Sequence, residues 1–255
     1  VTWLIVDGNN CYARDAFVNA AGAAHATLRR LRDVRANMQA TRAVICWDSP
    51  SFRHELFAGY KAGRGEKPAG FQAGLDEVKA GTAAIGYESY ECEGFEADDI
   101  AATVAAAAVD EGEQALIYSN DKDLHQCLVA GLVSQATAVR RPTSLTLSYD
   151  VLTAKQLKTK FGVHPHQWVD FRALTGDKSD GIPGCVDIGP KAAQTLLTKF
   201  DSLDEFYRKP FAAKIQDKQR RNLLAYREEL AKARRLLRLV RNVPLPSTFY
   251  EAVAL

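Results

Sequence analysis

Three short apolar runs, Trp3–Val6, Ala43–Trp47 and Ala115–Tyr118, are each followed closely by an acid: Asp7, Asp48 and Asp121. Apolar runs this short, bounded by polar residues, have the length and pattern of strands buried on both faces. Helical stretches Ala20–Ala40 and Asp98–Glu111 lie between them, so β and α alternate. That order predicts an α/β fold with a parallel sheet flanked by helices, in which ligands sit outside the carboxyl ends of the strands. All three acids fall at that edge.

The chain has 255 residues, 47% of them hydrophobic and 25% charged, enough for one large domain or two small ones. Its net charge of +2 hides an asymmetry: residues 1–150 hold 14 Lys+Arg against 20 Asp+Glu, and residues 151–255 hold 19 against 11. An acidic half beside a basic half suits a cation site coupled to an anionic polymer, although segregated solvated faces fit the charges equally well. From about Tyr149 the composition shifts to helix formers, with helices expected near Thr153–Phe161, Pro165–Leu174, Pro190–Phe200 and Asp217–Val240. The chain is therefore divided into an α/β domain over 1–150 and a helical module over 151–255. Between Phe52 and Gly81 glycines alternate with Tyr60, Lys61, Arg64 and Lys67, which reads as a basic excursion from the sheet.

Cys11, Cys46, Cys92, Cys127 and Cys185 form no C-x-x-C pair, and their odd number argues against a disulfide framework. With no basic leader and no long apolar run, a cytoplasmic protein that neither spans nor contacts a membrane is expected.

The chemistry concentrates in Glu96-Ala97-Asp98-Asp99, Asp121-Lys122-Asp123 and Asp177-Lys178-Ser179-Asp180. Asp98 and Asp99 alone would suit an ordinary helix start, where acids favour the positive end of the dipole. Together with the strand-end acids, however, they share one face of the sheet, where uncompensated repulsion would cost on the order of several kcal/mol. Bound hard cations remove that cost, and oxygen-only donors select Mg²⁺ or Mn²⁺. Two such ions can activate water and stabilise the leaving oxygen of a phosphodiester. No Gly-x-x-x-x-Gly-Lys phosphate loop is present, which disfavours a kinase.

Five blocks stand in order: Leu4-Ile5-Val6-Asp7-Gly8-Asn9, Phe52-Arg53-His54-Glu55-Leu56 through Arg64, Gly94-Phe95-Glu96-Ala97-Asp98-Asp99, Asn120-Asp121-Lys122-Asp123-Leu124, and Ala173 through Lys191. Together they resemble the 5′-3′ exonuclease and flap endonuclease family, including the 5′-nuclease domain of bacterial DNA polymerase I. The resemblance implies a PIN-like (resolvase-like) nuclease domain followed by a helix–three-turn–helix, a variant of the helix-hairpin-helix, over about 165–200. It implies that Asp7, Asp48, Glu96 and Asp98 hold one Mg²⁺ or Mn²⁺, that Asp121, Asp123 and Asp177 hold a second, and that Asp99 and Asp180 are additional acids. Lys61 and Arg64 match catalytic positions of the family's arch, over about 52–81, and Tyr60 and Arg53 match DNA-contacting ones. A base stacked on Tyr60 would be worth about 1–3 kcal/mol, while Lys61 and Arg64 also suit a merely soluble loop.

In the hairpin, Gly184 and Gly189 would let DNA backbone approach, N–H groups ahead of Pro190 would grip a phosphate, and Lys191 would add charge. The family allows a monovalent cation such as K⁺ there. A plain interhelical turn is the alternative. The Lys/Arg-rich stretch 199–241 fits a solvated helix at least as well as DNA contact.

Two departures bear on this. Gly181 stands where many bacterial members have Asn, and Asp187 places a negative charge in a loop expected to meet phosphate. The stretch Gly65–Gly74 also lacks the usual Pro-rich acidic sequence. The expected activity is hydrolysis of DNA at 5′ flaps and nicked or branched duplex, in primer removal, replication and repair. The protein would be a monomer, free-standing or cut from a longer chain, with a DNA polymerase as an allowed partner. A branched-DNA-binding module without turnover and a PIN-type ribonuclease are the rivals.

Overall fold

The computed structural model describes residues 3–139 and 148–251. In the first half, β1 (Trp3–Asp7) runs into α1 (Gly8–Ala16) without a loop, followed by α2 (Ala23–Met38), β2 (Arg42–Trp47), α3 (Arg53–Leu56) and α4 (Phe71–Gly81). Then come β3 (Glu88–Glu91), α5 (Ala97–Asp110), β4 (Ala115–Tyr118), β5 (Val133–Val139) and β6 (Ser148–Leu152). The second half holds α6 (Ala154–Phe161), α7 (Trp168–Thr175), α8 (Pro190–Phe200), α9 (Leu203–Arg208), α10 (Asp217–Ala225), α11 (Arg227–Leu237) and α12 (Ser247–Glu251).

The six strands form one sheet in the order β3-β2-β1-β4-β5-β6. The first five are parallel and β6 is antiparallel to β5, so the sheet is mixed rather than all parallel. An antiparallel neighbour needs no crossover helix, and only residues 140–147, outside the described residues, separate β5 from β6. Side chains alternate across the sheet as a period of two requires. Trp3 and Ile5 of β1 pack with α5 in one buried cluster; Leu4 and Val6 pack with α1, α2 and α4 in the other. The alanines of α5 bury nearly its whole surface, because Leu239, Val243, Leu245 and Phe249 from the end of the chain pack in the same cluster. Gly8 is required where β1 turns into α1: a Cβ there would run into the Trp47 ring.

The chain divides by its contacts into two units that are not contiguous. One comprises Val1–Phe52, Glu66–Thr153 and Leu239–Leu255; the other comprises Arg53–Gly65 and Ala154–Arg238. A single cut near residue 150 therefore misplaces two segments, each for a visible reason. The terminal segment belongs with the sheet because Arg42 lies between the rings of Trp3 and Phe249, at 4.5 and 4.8 Å, while holding Glu88. The stretch from Arg53 belongs with the helices because its guanidinium donates to Leu236 O at 2.8 Å and Arg238 O at 3.1 Å. These are carbonyls at the end of α11, which a helix leaves without intrahelical partners and where a cation is favoured.

Within the helical unit, Phe161, Trp168 and Phe171 form an aromatic cluster. Arg234 of α11 pairs with buried Asp170 of α7 at 2.7 Å. The expected long helix over Asp217–Val240 is two helices, broken at Tyr226 (φ −91°, ψ 18°), and α11 ends at Leu237.

Candidate metal centre

The carboxylates of the first unit are placed by strand ends and helix starts. Asp7 ends β1 and caps α1, accepting Asn10 N at 2.9 Å on one oxygen and Ser119 Oγ at 3.0 Å on the other. Asp48, just past β2, accepts Ala97 N at 2.8 Å, and its own N–H donates to Asn9 Oδ1 at 2.9 Å. That contact draws the start of α5 to the end of β2 by using one of the N–H groups that a helix leaves unpaired.

Glu96 is the N-cap of α5 and forms a capping box with Asp99. Glu96, Asp98 and Asp99 each offer an oxygen within 4.8 Å of the others. Beyond β4, Asp121 N donates to Ser119 Oγ at 3.0 Å and Asp121 Oδ1 accepts Asp123 N at 2.8 Å. Asp123 then opens the 3-10 turn Asp123–Cys127.

These acids sense one another. Burial first, then Asp48 and Asp121, pushes the Asp7 carboxyl up to about 7 from an ordinary 3.8, against the opposing hydrogen bonds from Asn10 and Ser119. The Cys46 thiol is pushed well up by burial, with Asp7 and Asp98 adding to it. The donor set is oxygen only and anionic, which fits a hard divalent cation. Asp99 differs from its neighbours. It is fully buried, and its oxygens accept Glu96 N at 3.3 Å and Val240 N at 2.8 Å, so it braces the turn that carries Glu96 and Asp98.

A pH-dependent stability follows from Asp7. Because its folded pKa lies above the unfolded value, the ion-free protein keeps a proton that the unfolded chain has lost, and stability from this group falls as pH rises from about 4 to about 7. A bound cation neutralises the charge and removes the fall. Mg²⁺ should therefore raise the Tm more at about pH 8 than at about pH 5. Melting curves with Mg²⁺ and with chelator check this, and an equal shift at both pH values would contradict it.

In the helical unit, the other predicted residues have ionic partners of their own. Asp180, 6% exposed, accepts Arg64 Nη2 at 3.0 Å, and Asp177 is ion-paired to Arg172. Lys61, Arg64 and Asp180 are thus brought together, with Lys61 N directed at Asp180 O and Lys61 itself in the left-handed region at φ 57°.

Two readings need correction. Arg53 is 1% exposed and caps α11, so it is a structural residue and not a DNA contact. Tyr60 is 4% exposed, against His54 at 5.5 Å and with Lys61 Nζ 4.8 Å from its ring centre, so its face is not open to a base. Both stood in a glycine-rich basic stretch, where composition suggests exposure but says nothing of packing.

The hairpin between α7 and α8 is pinned by reciprocal bonds between Asp177 and Ile182, both 2.8 Å. Gly184, at φ 78°, is obligatory: a Cβ there would lie 2.8 Å from the Gly176 nitrogen. Gly189 caps α8, Pro190 takes its first position, and Lys191 is exposed. Asp187 is held by Lys218 at 2.9 Å and Asn222 at 3.1 Å, and Lys218 lowers its pKa. Its charge is therefore offset locally, which answers the concern that it would repel phosphate. All five cysteines are free thiols. Among the described residues, no helix is long and apolar enough to cross a membrane.

Asn9, Asn10 and Ser119 were not expected at this centre. Their only signal is adjacency, as polar residues flanking Asp7 and Asp121 at strand ends.

A mixed sheet with acids along its carboxyl edge, joined to a helical hairpin unit, defines a resolvase-like α/β protein with a helical companion. Known proteins agree. Residues 2–162 match the model of the 5′-3′ exonuclease N-terminal resolvase-like domain, and residues 163–254 match that of the 5′-3′ exonuclease C-terminal SAM fold. The chain belongs to the 5′-3′ exonuclease family.

It is 38% identical to the thermostable DNA polymerase I of Thermus thermophilus over 208 residues, covering 81% of this chain and 24% of that one. The chain thus spans about a quarter of the length of that relative. It is 33% identical over 246 residues to flap endonuclease Xni of Pectobacterium carotovorum, covering 95% of this chain and 90% of that one. The bacteriophage T5 flap endonuclease, solved with DNA and metal ions, shares the fold: TM-score 0.79, 19% identity, 100% of this chain and 98% of that one.

Proposed function

We propose that the chain is a structure-specific 5′-3′ exonuclease and flap endonuclease that hydrolyses DNA phosphodiesters with divalent metal. The observation that carries this reading is the convergence of Asp7, Asp48, Glu96, Asp98, Asp121 and Asp123 on the carboxyl ends of β1, β2 and β4, with Asp7 pushed up to about 7 by burial and by Asp48 and Asp121. Asp7, Asp48, Glu96 and Asp98 would hold one ion, and Asp121 and Asp123 would contribute to a second. The ions would be Mg²⁺ or Mn²⁺, which oxygen-only donors select. When bound, the ions supply an activated water and neutralise charge on the phosphoryl group.

The chain's own residues do the rest. Ser119 and Asn10 fix both oxygens of Asp7, so the carboxylate is preorganised rather than free to rotate. Lys61 and Arg64 bring positive charge to the scissile phosphate, Arg64 after release from Asp180. The hairpin around Gly184, Gly189 and Lys191 grips duplex backbone, reading shape rather than sequence, and is also the place for a monovalent cation such as K⁺. Primer removal and flap processing are the expected settings. The protein would act as a monomer, and the reading allows a DNA polymerase as partner.

A 5′-flap DNA, a nicked duplex and a single-stranded RNA, each with Mg²⁺ and with chelator, test this reading. The two DNAs should be cut only with Mg²⁺, leaving 5′-phosphates, and the RNA should be spared. Cleavage of RNA alone, or of DNA in chelator, would overturn it.

A further inference from the structure

A primary amide sits in the middle of β5. Gln135 is 2% exposed and lies between Ile117 of β4 and Leu152 of β6, where an apolar residue would be the ordinary choice. Burying it is costly unless every polar atom finds a partner, and here every one does. Nε2 donates to Ser119 O at 2.8 Å and to Asp121 O at 2.7 Å. With two carbonyls at that end, the amide orientation is fixed, so Oε1 must accept. Its partner is the Nδ1–H of His125, at 2.7 Å.

The two carbonyls belong to the turn that leaves β4. Through that turn, Ser119 Oγ reaches Asp7 at 3.0 Å and receives Asp121 N, while Asp121 Oδ1 receives Asp123 N. Gln126 Nε2 closes the same segment by donating to Asp123 O at 2.8 Å. Gln135 touches none of the carboxylates. It holds the two backbone positions from which three of them are aimed.

We infer that Gln135, oriented by His125, is a positioning residue of the metal centre: its amide sets the Ser119–Asp121 turn, and hence the placement of Asp121, Asp123 and the Ser119 hydroxyl that fixes Asp7. The inference rests on the proposed metal-dependent reading. Such groups behind the ligands typically change metal affinity by about 10–100-fold. A residue that merely filled the core would change stability and leave metal affinity alone.

Gln135→Met keeps the length and removes both donors; Gln135→Glu keeps the shape and an acceptor for His125 but replaces the amide N–H groups. Mn²⁺ alone is the probe, titrated by electron paramagnetic resonance into the full chain, with folding checked by circular dichroism and 5′-flap DNA affinity measured in chelator. The expected result is Mn²⁺ affinity weakened about tenfold or more in both variants, with DNA affinity in chelator within about twofold of wild type. Mn²⁺ affinity within about twofold of wild type, in whichever variant folds, would overturn the inference. If the wild type itself binds no Mn²⁺, the proposed function fails rather than the role of Gln135. Gln135→Glu is the smaller perturbation and decides the matter should Gln135→Met not fold.

Discussion

Asp98→Asn is expected to slow cleavage of a 5′-flap DNA by about 10³-fold, equivalent to about 4 kcal/mol of transition-state stabilisation, while leaving DNA affinity in chelator unchanged. Asp123→Asn should behave alike. Both substitutions are isosteric, and both remove one negative charge from a cluster in which burial first, then Asp48 and Asp121, pushes the Asp7 carboxyl up to about 7. The ion-free protein should therefore be no less stable, and even somewhat more stable, because the repulsion is relieved. Loss of activity with retained stability separates a ligand from a brace.

Asp99 supplies the contrast. Both of its oxygens accept backbone N–H groups, from Glu96 and Val240, so Asp99→Asn should lower stability as well as activity. Single-turnover cleavage and thermal melts on the three variants give the comparison. Wild-type cleavage by Asp98→Asn would remove the first metal ligand set.

Arg234→Met is expected to destabilise the chain by about 3–5 kcal/mol, the usual consequence of leaving a buried charge without its partner. Arg234 reaches Asp170 through Nε at 2.7 Å and Asp204 through both terminal nitrogens, at 2.8 and 2.6 Å. Asp170 is 6% exposed, its pKa already raised by burial despite the Leu203 N–H and the arginine. Without the arginine it rises further. The variant should then regain stability as pH falls and Asp170 takes up its proton, because a raised folded pKa favours the protonated native state.

Asp170→Asn in the Arg234→Met background should recover part of the loss. Urea unfolding of the single and double variants at two pH values measures both effects. A loss below about 1 kcal/mol would show the pair to be worth no more than a surface bridge.

The centre of the sheet was legible because β1, β2 and β4 are continuous apolar runs buried on both faces. The outer strands were not. Glu88–Glu91 is a polar edge strand with alternate residues exposed, and β5 carries Gln135 and Thr137 where a core strand would carry aliphatics. The carboxylates of the first unit were legible because strand ends place them. Arg53 and Tyr60 were misread because their partners, the end of α11 and His54, are set by tertiary packing that no local pattern records. Ser119 and Gln135 escaped notice because a hydroxyl that fixes a carboxylate, or an amide that acts through backbone carbonyls, leaves no motif. The break at Tyr226 has neither glycine nor proline to mark it.

The segment that braces α5 lies far downstream of it, at residues 239–243. Val240 N meets Asp99 across 141 residues, Leu239 N meets Gln126 Oε1 at 3.1 Å, and Val243 N meets Thr103 Oγ1 at 3.1 Å. On a ribosome adding about 5–20 residues per second, the acidic turn of α5 emerges on the order of ten seconds before its brace exists. A nascent chain thus carries Glu96 and Asp98 well before the segment that holds their turn in place has been made.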